Sequence, residues 1–332
     1  MPNDNDFAII VGINDYKELP PLKGPVSDAL AFRDWVRSAD GGDIPEQNCK
    51  FIDNTDSSVP TQDLIDAKLD EIIAGGGPYR RLYFFFAGHG IGLDWSSNGL
   101  CLPGWTSRFR NKSLSSKAYL DYTVGTSFFQ EVYFFLDCCR DRLINAIALP
   151  PTLGLARPRG QGVKSLVLYA SDFENAAGEA LDQDTSSTVR GYFSQALVDG
   201  LKGAAADQNG NITANGLVNF TQRKTAELAM ADQQSQTVTP QFYGPGITMD
   251  ELIIREGVAP PVTAVTVTFP IGGRIQLAGP DLQPIFTQTF APGQQDGPRN
   301  LGKGLYELSD QDSGRSLIIK IDGTKKEASY EF

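Results

Sequence analysis

The chain has a single histidine, His89, and only four cysteines, at Cys49, Cys101, Cys138 and Cys139. No two cysteines are spaced as Cys-x-x-Cys. One imidazole and an adjacent pair of thiols do not make a tetrahedral ligand set, so neither a metal nor a cofactor is expected. Without a secretion signal, so few cysteines also argue against a disulfide framework. Positive charge is in short supply, with 29 Lys and Arg against 40 Asp and Glu and a net charge of −11. Binding to phosphate needs clustered Lys and Arg, so no nucleic-acid or membrane partner is expected. No apolar run approaches the roughly 18 residues that span a bilayer. The opening Met1-Pro2-Asn3-Asp4-Asn5-Asp6 lacks the basic start and apolar core of a signal peptide. A cytoplasmic location is the resulting expectation.

What is present is an ordinary globular composition, long enough for one large domain and a small one. Residues 7–13 (Phe-Ala-Ile-Ile-Val-Gly-Ile) form a continuous apolar run, the mark of a strand buried on both faces. Similar runs occupy residues 81–87, 132–137 and 165–171, with a shorter one at 50–53. Between them, helical patterns cover about 26–38, 61–74, 116–129, 191–202 and 213–231, and residues 99–103 suggest a small hairpin. Strands alternating with helices predict an α/β fold with a mainly parallel sheet over residues 1–256.

After Gly257 the character changes. A linker at Ala259-Pro260-Pro261 precedes short runs rich in β-branched residues, at 262–269, 273–277, 283–290, 304–308, 316–321 and 328–332. Residues 257–332 are therefore expected to form a small C-terminal all-β sandwich domain. No catalytic constellation is visible there.

The informative coincidence lies at the strand ends. In a parallel sheet the ligand crevice lies beyond the carboxyl ends of the strands. Leu82-Tyr83-Phe84-Phe85-Phe86-Ala87-Gly88-His89-Gly90 delivers the only imidazole to such an end. Val132-Tyr133-Phe134-Phe135-Leu136-Asp137-Cys138-Cys139-Arg140 delivers two thiols to another, and Ser171 ends a third strand. A thiol is mostly protonated at neutral pH and needs a base to become a nucleophile, and His89 is the only imidazole available. Alone, each feature has a plainer reading: His89 as a packing residue, the cysteines as small buried hydrophobes.

Taken together the motifs resemble a known family. Phe86-Ala87-Gly88-His89-Gly90 resembles the F-S-G-H-G segment of metacaspases. Asp137-Cys138-Cys139-Arg140 resembles their D-S-C-H and the Q-A-C-R of caspases, and His89 precedes Cys139 by 50 residues, a spacing known for caspases. Gly12-Ile13-Asn14, Leu22-Lys23-Gly24, Ser27-Asp28-Ala29, Tyr169-Ala170-Ser171, Gly191 to Leu197 and Thr239-Pro240-Gln241 follow in the order of bacterial caspase-like proteases, so the resemblance covers about residues 7–250. It implies a three-layer caspase-like sandwich and a cysteine endopeptidase acting on a protein substrate. It assigns the nucleophile to Cys139, the base to His89, and the oxyanion hole to the N–H groups of Gly90 and Cys139. Asp28 and Asp137 match the aspartates that line the metacaspase S1 pocket, which implies cleavage after Arg or Lys. Animal caspases place arginine near these positions, where this chain has Leu22 and Asp28. The alternative is that Asp28 caps its helix and Asp137 packs structurally. Ser171 and Asp172 are assigned to the substrate-facing strand end.

The sequence departs from the family at Ala87, where metacaspases have a serine, and at Asp141, where caspases have glycine. The Pro- and Gly-rich stretch at 149–164 carries Arg157, Arg159 and Lys164, which suggests self-cleavage there, or a plain flexible loop. Asp207-Gln208-Asn209-Gly210-Asn211 resembles half a calcium loop but lacks its downstream acid, and reads as a turn. The resemblance also implies a role in bacterial cell suicide or antiphage defence, with the C-terminal β domain recruiting a regulator. A catalytically silent homologue serving as scaffold or sensor is the competing reading.

Overall fold

The computed structural model describes residues 3–54, 59–109, 111–141, 147–154, 162–181, 188–259 and 261–332. Two compact units emerge: Met1–Ala205 with Thr213–Arg255, and Ala206–Ile212 with Glu256–Phe332.

The first unit begins with β1 (Asp6–Gly12), α1 (Pro25–Arg37), β2 (Cys49–Asp53), α2 (Gln62–Ile73) and β3 (Tyr79–Ala87). It continues through β4 (Gly90–Asp94), β5 (Ser97–Cys101), β6 (Ser113–Ser115), α3 (Ser116–Thr126), β7 (Phe129–Asp137) and β8 (Lys164–Tyr169). There follow β9 (Glu179–Leu181), β10 (Val189–Gly191), α4 (Tyr192–Asp199), the two-residue β11 (Ile212–Thr213), of which only Thr213 belongs to this unit, α5 (Ala214–Ala231), β12 (Thr239–Tyr243) and β13 (Ile253–Arg255). The central sheet has the order β12-β8-β7-β3-β1-β2, parallel except for β12. The mainly parallel sheet expected from the apolar runs is there.

Side-chain alternation explains why both faces of this sheet need cover. Ile9, Val11, Phe84, Phe86, Phe134 and Leu136 join Ile65, Leu69 and Ile72 of α2 and Tyr119 of α3 in one apolar cluster. On the other face Phe32 of α1 stacks on Phe85 at 4.7 Å and meets Phe135 edge-on at 5.7 Å. Helices on both faces of a parallel sheet make three layers.

Helix boundaries follow local chemistry. Pro25 starts α1, and Asp28 lies in its first turn, where the helix dipole favours a carboxylate. Thr61 caps α2 by accepting the Leu64 N–H at 3.2 Å. The third helix is shorter than expected: it stops at Thr126 because Phe129 is claimed by the sheet, paired with Tyr79. The strand at 97–101 pairs with residues before it and after it, β4 and β6, rather than folding within itself. The short β9–β10 hairpin and β12 carry no apolar run long enough to be read in advance.

The second unit contains β14 (Val262–Phe269), β15 (Gly273–Ala278), β16 (Pro284–Phe290), β17 (Gln294–Gly302), β18 (Gly304–Asp310), β19 (Ser316–Ile321) and β20 (Glu327–Glu331). They form two sheets, β17-β14-β20 and β16-β15-β18-β19. Val265, Val267 and Leu301 from one sheet and Ile275, Leu308 and Ile319 from the other share one apolar cluster. Sequence reading missed β17, a polar edge strand containing Gly297-Pro298; a proline is tolerated at an edge, where its missing N–H faces no partner. Asp207 Oδ1 accepts the N–H groups of Asn209 and Asn211, each at 2.8 Å, which makes the segment a turn. No helix among the described residues is long and apolar enough to cross a membrane.

Candidate active site

Sheet register puts the candidate residues side by side. Gly12, Ala87 and Asp137 lie in one row across β1, β3 and β7. His89 and Cys139 each follow two residues beyond that row, just past the ends of neighbouring strands that run about 4.8 Å apart. Both line one small cavity of about 60 Å³, together with Leu22, Asp28, Asp137 and Glu179. Gly90 is not in that lining; it lies against the Cys138–Cys139 backbone. A Cβ at Gly90 would sit 2.6 Å from the Cys139 carbonyl oxygen and 2.5 Å from Cys138 Sγ, so only glycine permits this approach.

His89 is oriented by backbone rather than by a carboxylate. Its Nε2 lies 2.8 Å from the Pro20 carbonyl oxygen. A carbonyl can only accept, so Nε2 carries the proton and Nδ1 keeps the lone pair. The His89 N–H donates to Tyr16 Oη at 2.8 Å, and the Tyr16 ring meets the imidazole edge-on at 4.8 Å.

The two cysteines are sorted by exposure. Cys138 is buried in the sheet core, accepts a hydrogen bond from Asn98 Nδ2 at 3.4 Å, and has its thiol pushed up to about 12 by burial. Cys139 is half-buried. Its Sγ accepts the Ala177 N–H at 3.3 Å. Burial raises its pKa above the ordinary thiol range, against the pull of the Ala177 N–H. The resting group is therefore a neutral thiol.

Arg140 fixes the turn that carries these cysteines. Its fully buried guanidinium donates from Nε to Asn98 Oδ1 at 2.8 Å and from Nη2 to the Trp95 carbonyl at 2.8 Å, and it lies 4.3 Å from the Tyr169 ring centroid. A buried charge must be satisfied in this way, and the bonds tie the turn after β7 to the β4–β5 connection. Among the family departures, Asp141 accepts the Gly92 N–H through its backbone carbonyl at 3.0 Å, and Ala87 lines the cavity.

Asp28 and Asp137 are both buried, with 2% and 8% exposure, and both reach the cavity. Asp28 accepts from Arg190 Nε at 2.5 Å and from the Gly191 N–H at 2.9 Å. Burial pushes its carboxyl up while the Arg190 guanidinium pulls it down. Asp137 accepts from Ser194 Oγ at 2.5 Å and the Ser194 N–H at 3.2 Å, both through Oδ2. Burial holds it up at about 6. A Cβ at Gly191 would stand 2.3 Å from Asp137 Oδ2, so only glycine lets β10 pass this close to both aspartates.

Ser171 and Asp172 are not brought to the cavity. Ser171 is fully buried and donates to the Asn175 carbonyl at 3.0 Å, and Asp172 accepts from Thr239 Oγ1 at 2.7 Å. Arg157 and Arg159 lie outside the described residues. Lys164 opens β8, paired in register with Glu131, with its Nζ 3.7 Å from Glu131 Oε1. A residue held in a sheet ladder is not free to act as an extended substrate.

Sequence reading singled out neither Tyr16, Pro20, Ala177, Glu179 nor Arg190. Gly191 and Ser194 belonged to a family-like segment, but nothing local pointed to their bonds with the aspartates.

A family model described as the caspase domain matches residues 5–248. The chain belongs to the caspase-domain family, peptidase C14. It is 29% identical over 221 residues to a probable protease from a Desulfuromonadales bacterium. That match takes in 60% of this chain and 26% of the relative, so the chain spans about a quarter of the relative's length. Among solved structures, a Geobacter sulfurreducens protein is similar over 72% of this chain and 92% of its own, with 13% identity and a TM-score of 0.44.

Proposed function

We propose that the chain is a cysteine endopeptidase that cleaves proteins after Arg or Lys, with Cys139 as nucleophile and His89 as general base. The observation that carries this reading is the shared cavity: the half-buried thiol, an imidazole with its Nδ1 lone pair available, and the carboxylates Asp28, Asp137 and Glu179 all line it. A neutral thiol in one cavity with an imidazole that has its Nδ1 free of a backbone partner suits proton transfer during attack rather than a standing ion pair.

In the first half-reaction Cys139 Sγ attacks the P1 carbonyl carbon as its proton passes to His89 Nδ1. Negative charge gathers on the former carbonyl oxygen, which the N–H groups of Gly90 and Cys139 receive. One such donor typically supplies about 3–4 kcal/mol. The tetrahedral adduct expels the amine, which takes the proton from His89, and leaves a thioester. In the second half-reaction water loses a proton to His89 and attacks the thioester carbon. The sulfur departs and recovers the proton from His89, and the new P1 carboxylic acid loses its own proton to solvent and leaves as the carboxylate.

Specificity in this reading comes from carboxylates that meet a cationic P1 side chain with charge-assisted hydrogen bonds. Hydrolysis of Arg-, Lys- and Asp-P1 fluorogenic peptides by wild type, Cys139→Ala and His89→Ala tests both halves. Preference for Asp at P1 overturns the pocket argument, and activity surviving in Cys139→Ala overturns the mechanism. The raised thiol is what favours the silent-scaffold alternative. Labelling of Cys139 by an electrophilic Arg-P1 peptide separates the two, because a purely structural cysteine stays unlabelled. In the cell we assign the protease to suicide or antiphage defence, with the two-sheet C-terminal unit, read as a sandwich, as the recruitment surface for a regulator.

A further inference from the structure

Among the described residues the second unit has four outer strands, β17 and β20 on one sheet and β16 and β19 on the other. An outer strand presents a row of backbone N–H and C=O groups that invites pairing with another strand, and charged residues or proline along it discourage this. β17 carries Asp296, Pro298 and Arg299, β20 carries Glu327 and Glu331, and β19 carries Lys320. β16 carries no charge, and the uncharged stretch runs from Leu282 to Gln295. Its Phe, Thr and Ile residues favour the extended conformation, and Ile285, Thr287, Gln288 and Thr289 are exposed.

The inner side of β16 is held in regular register. From Phe286 to Phe290 it pairs residue for residue with β15, and the one register shift lies beyond that stretch, between Leu277 and Ala278. Phe290 is buried and stacks on Phe269 at 4.1 Å, while the Arg299 guanidinium lies 4.4 Å from the Phe286 ring centroid. None of these contacts uses the outer edge. In an antiparallel ladder alternate residues turn their N–H and C=O groups away from the neighbouring strand, and no other described strand pairs with them here.

The order of residues along the strand decides what fits that edge. Pro284-Ile285-Phe286-Thr287-Gln288-Thr289-Phe290-Ala291-Pro292 reads the same in both directions about Gln288, except that Ile285 mirrors Ala291, and both of those are apolar. Antiparallel pairing of two copies about a two-fold axis at Gln288 sets Thr287 of each copy against Thr289 of the other, Phe286 against Phe290, and the two Gln288 side chains against each other. Thr–Thr and aromatic pairs directly opposite one another are favourable, and a closed two-fold interface requires this self-complementarity. Pro284 and Pro292 lack an N–H and so bound the ladder at both ends. With a net charge of −11 two copies repel at a distance, and an uncharged edge is where they approach at least cost.

We propose that β16 is a self-association edge, through which two copies of the chain form an antiparallel dimer centred on Gln288 that joins their four-stranded sheets into one continuous sheet. The proposal goes beyond the protease reading and does not rest on it, because association is read as mass without any substrate.

Sedimentation of the full chain over a concentration series is the test. The mass should rise from 36.0 kDa toward twice that value. The expected dissociation constant is on the order of 10 µM, since so short a ladder buries less than a standard interface. Gln288→Lys and Gln288→Glu each set like charges against each other across the axis and should weaken the dimer about ten-fold or more. An equimolar mixture of the two variants sets lysine against glutamate and should recover the double mass. Should a Gln288 variant fail to fold, Thr287→Lys, expected to weaken the dimer, and Thr287→Lys with Thr289→Glu, expected to restore it, decide instead. Wild type that stays at 36.0 kDa overturns the proposal and leaves the edge to a strand of another protein; the series should reach about 100 µM, well above the expected constant. An undiminished dimer in Gln288→Lys, or a mixture that remains monomeric, overturns it equally, because another surface or another register would then hold the copies together.

Discussion

The strands of the two units bury themselves differently. From Val132 to Asp137 every residue of β7 is buried, whereas β14 alternates buried with more exposed positions along its whole length. The first sheet is covered on both faces, the second pair of sheets on one face each. Buried charge follows the same division. In the first unit Asp6, Asp28, Asp66, Arg81, Asp137 and Arg140 are buried, and in the second only Asp310 is, among the described residues. Asp310 serves its own turn, accepting from Ser313 Oγ at 2.5 Å and the Asp312 N–H at 3.1 Å. Asp28 instead bonds Arg190 and Gly191, from the far half of its unit. Buried charge with local partners ends a strand; buried charge with distant partners assembles a site.

That contrast can be broken by substitution, and the largest effect on turnover is expected at the strand rim. Cys139→Ala should lower kcat/KM for an Arg-P1 peptide by on the order of 10⁴-fold or more. Cys138→Ala should keep turnover while lowering the melting temperature, because Cys138 packs in the core. Steady-state kinetics and thermal denaturation of both variants check the pair. Next comes Asp137→Asn, which should reduce the ratio of kcat/KM for an Arg-P1 peptide to that for its uncharged citrulline-P1 counterpart roughly 10- to 100-fold, the range for a charge-assisted bond. In wild type the same ratio should drop as pH falls through about 6, since the Asp137 carboxyl is protonated below that value and carries charge above it. Asp137→Asn should flatten this limb. Taking a ratio cancels any titration of the dyad, which acts on both substrates alike.

Smaller again is Tyr16→Phe, which removes the hydroxyl that accepts the His89 N–H and leaves the ring against the imidazole. A loss of about five-fold in kcat with KM little changed is expected, one neutral hydrogen bond being worth about 1 kcal/mol. An equal shift in KM would instead mark Tyr16 as a substrate contact. The smallest effect on turnover belongs to the second unit. Leu308→Ala deletes a fully buried side chain there and should cost about 3 kcal/mol of stability in a denaturant titration. Its kcat/KM per folded molecule should match wild type. A large kinetic loss would mean that the second unit's packing controls the first unit's chemistry.

Much of the fold was legible because its signals are local. Continuous apolar runs identify β1, β3, β7 and β8, and periodic stripes identify α1, α2 and α5 to within a residue or so at each end. Such runs say that a strand is buried but not where a helix yields to it, so residues up to 129 were read as helix until pairing with Tyr79 put Phe129 in the sheet. The edge strand β17 escaped notice because half-exposed polar residues carry no alternation to read. His89 and Cys139 stand out because Gly-His-Gly and Asp-Cys-Cys-Arg follow apolar runs directly. Pro20 and Ala177, which hold the imidazole and the thiol, act through backbone atoms that any residue type possesses.

By itself the sequence determined the α/β class and the arrival of an imidazole and a thiol at strand ends, since both follow from hydrophobic periodicity over neighbouring residues. Tertiary structure alone decided which nitrogen of His89 faces a backbone carbonyl, which cysteine is accessible, and which carboxylates meet in one cavity. Those properties depend on partners distant in the chain, through burial and Coulomb interaction, and no local pattern encodes them. Asp28 shows the division most clearly: its place in the first turn of α1 is written in the sequence, and its ion pair with Arg190 is not.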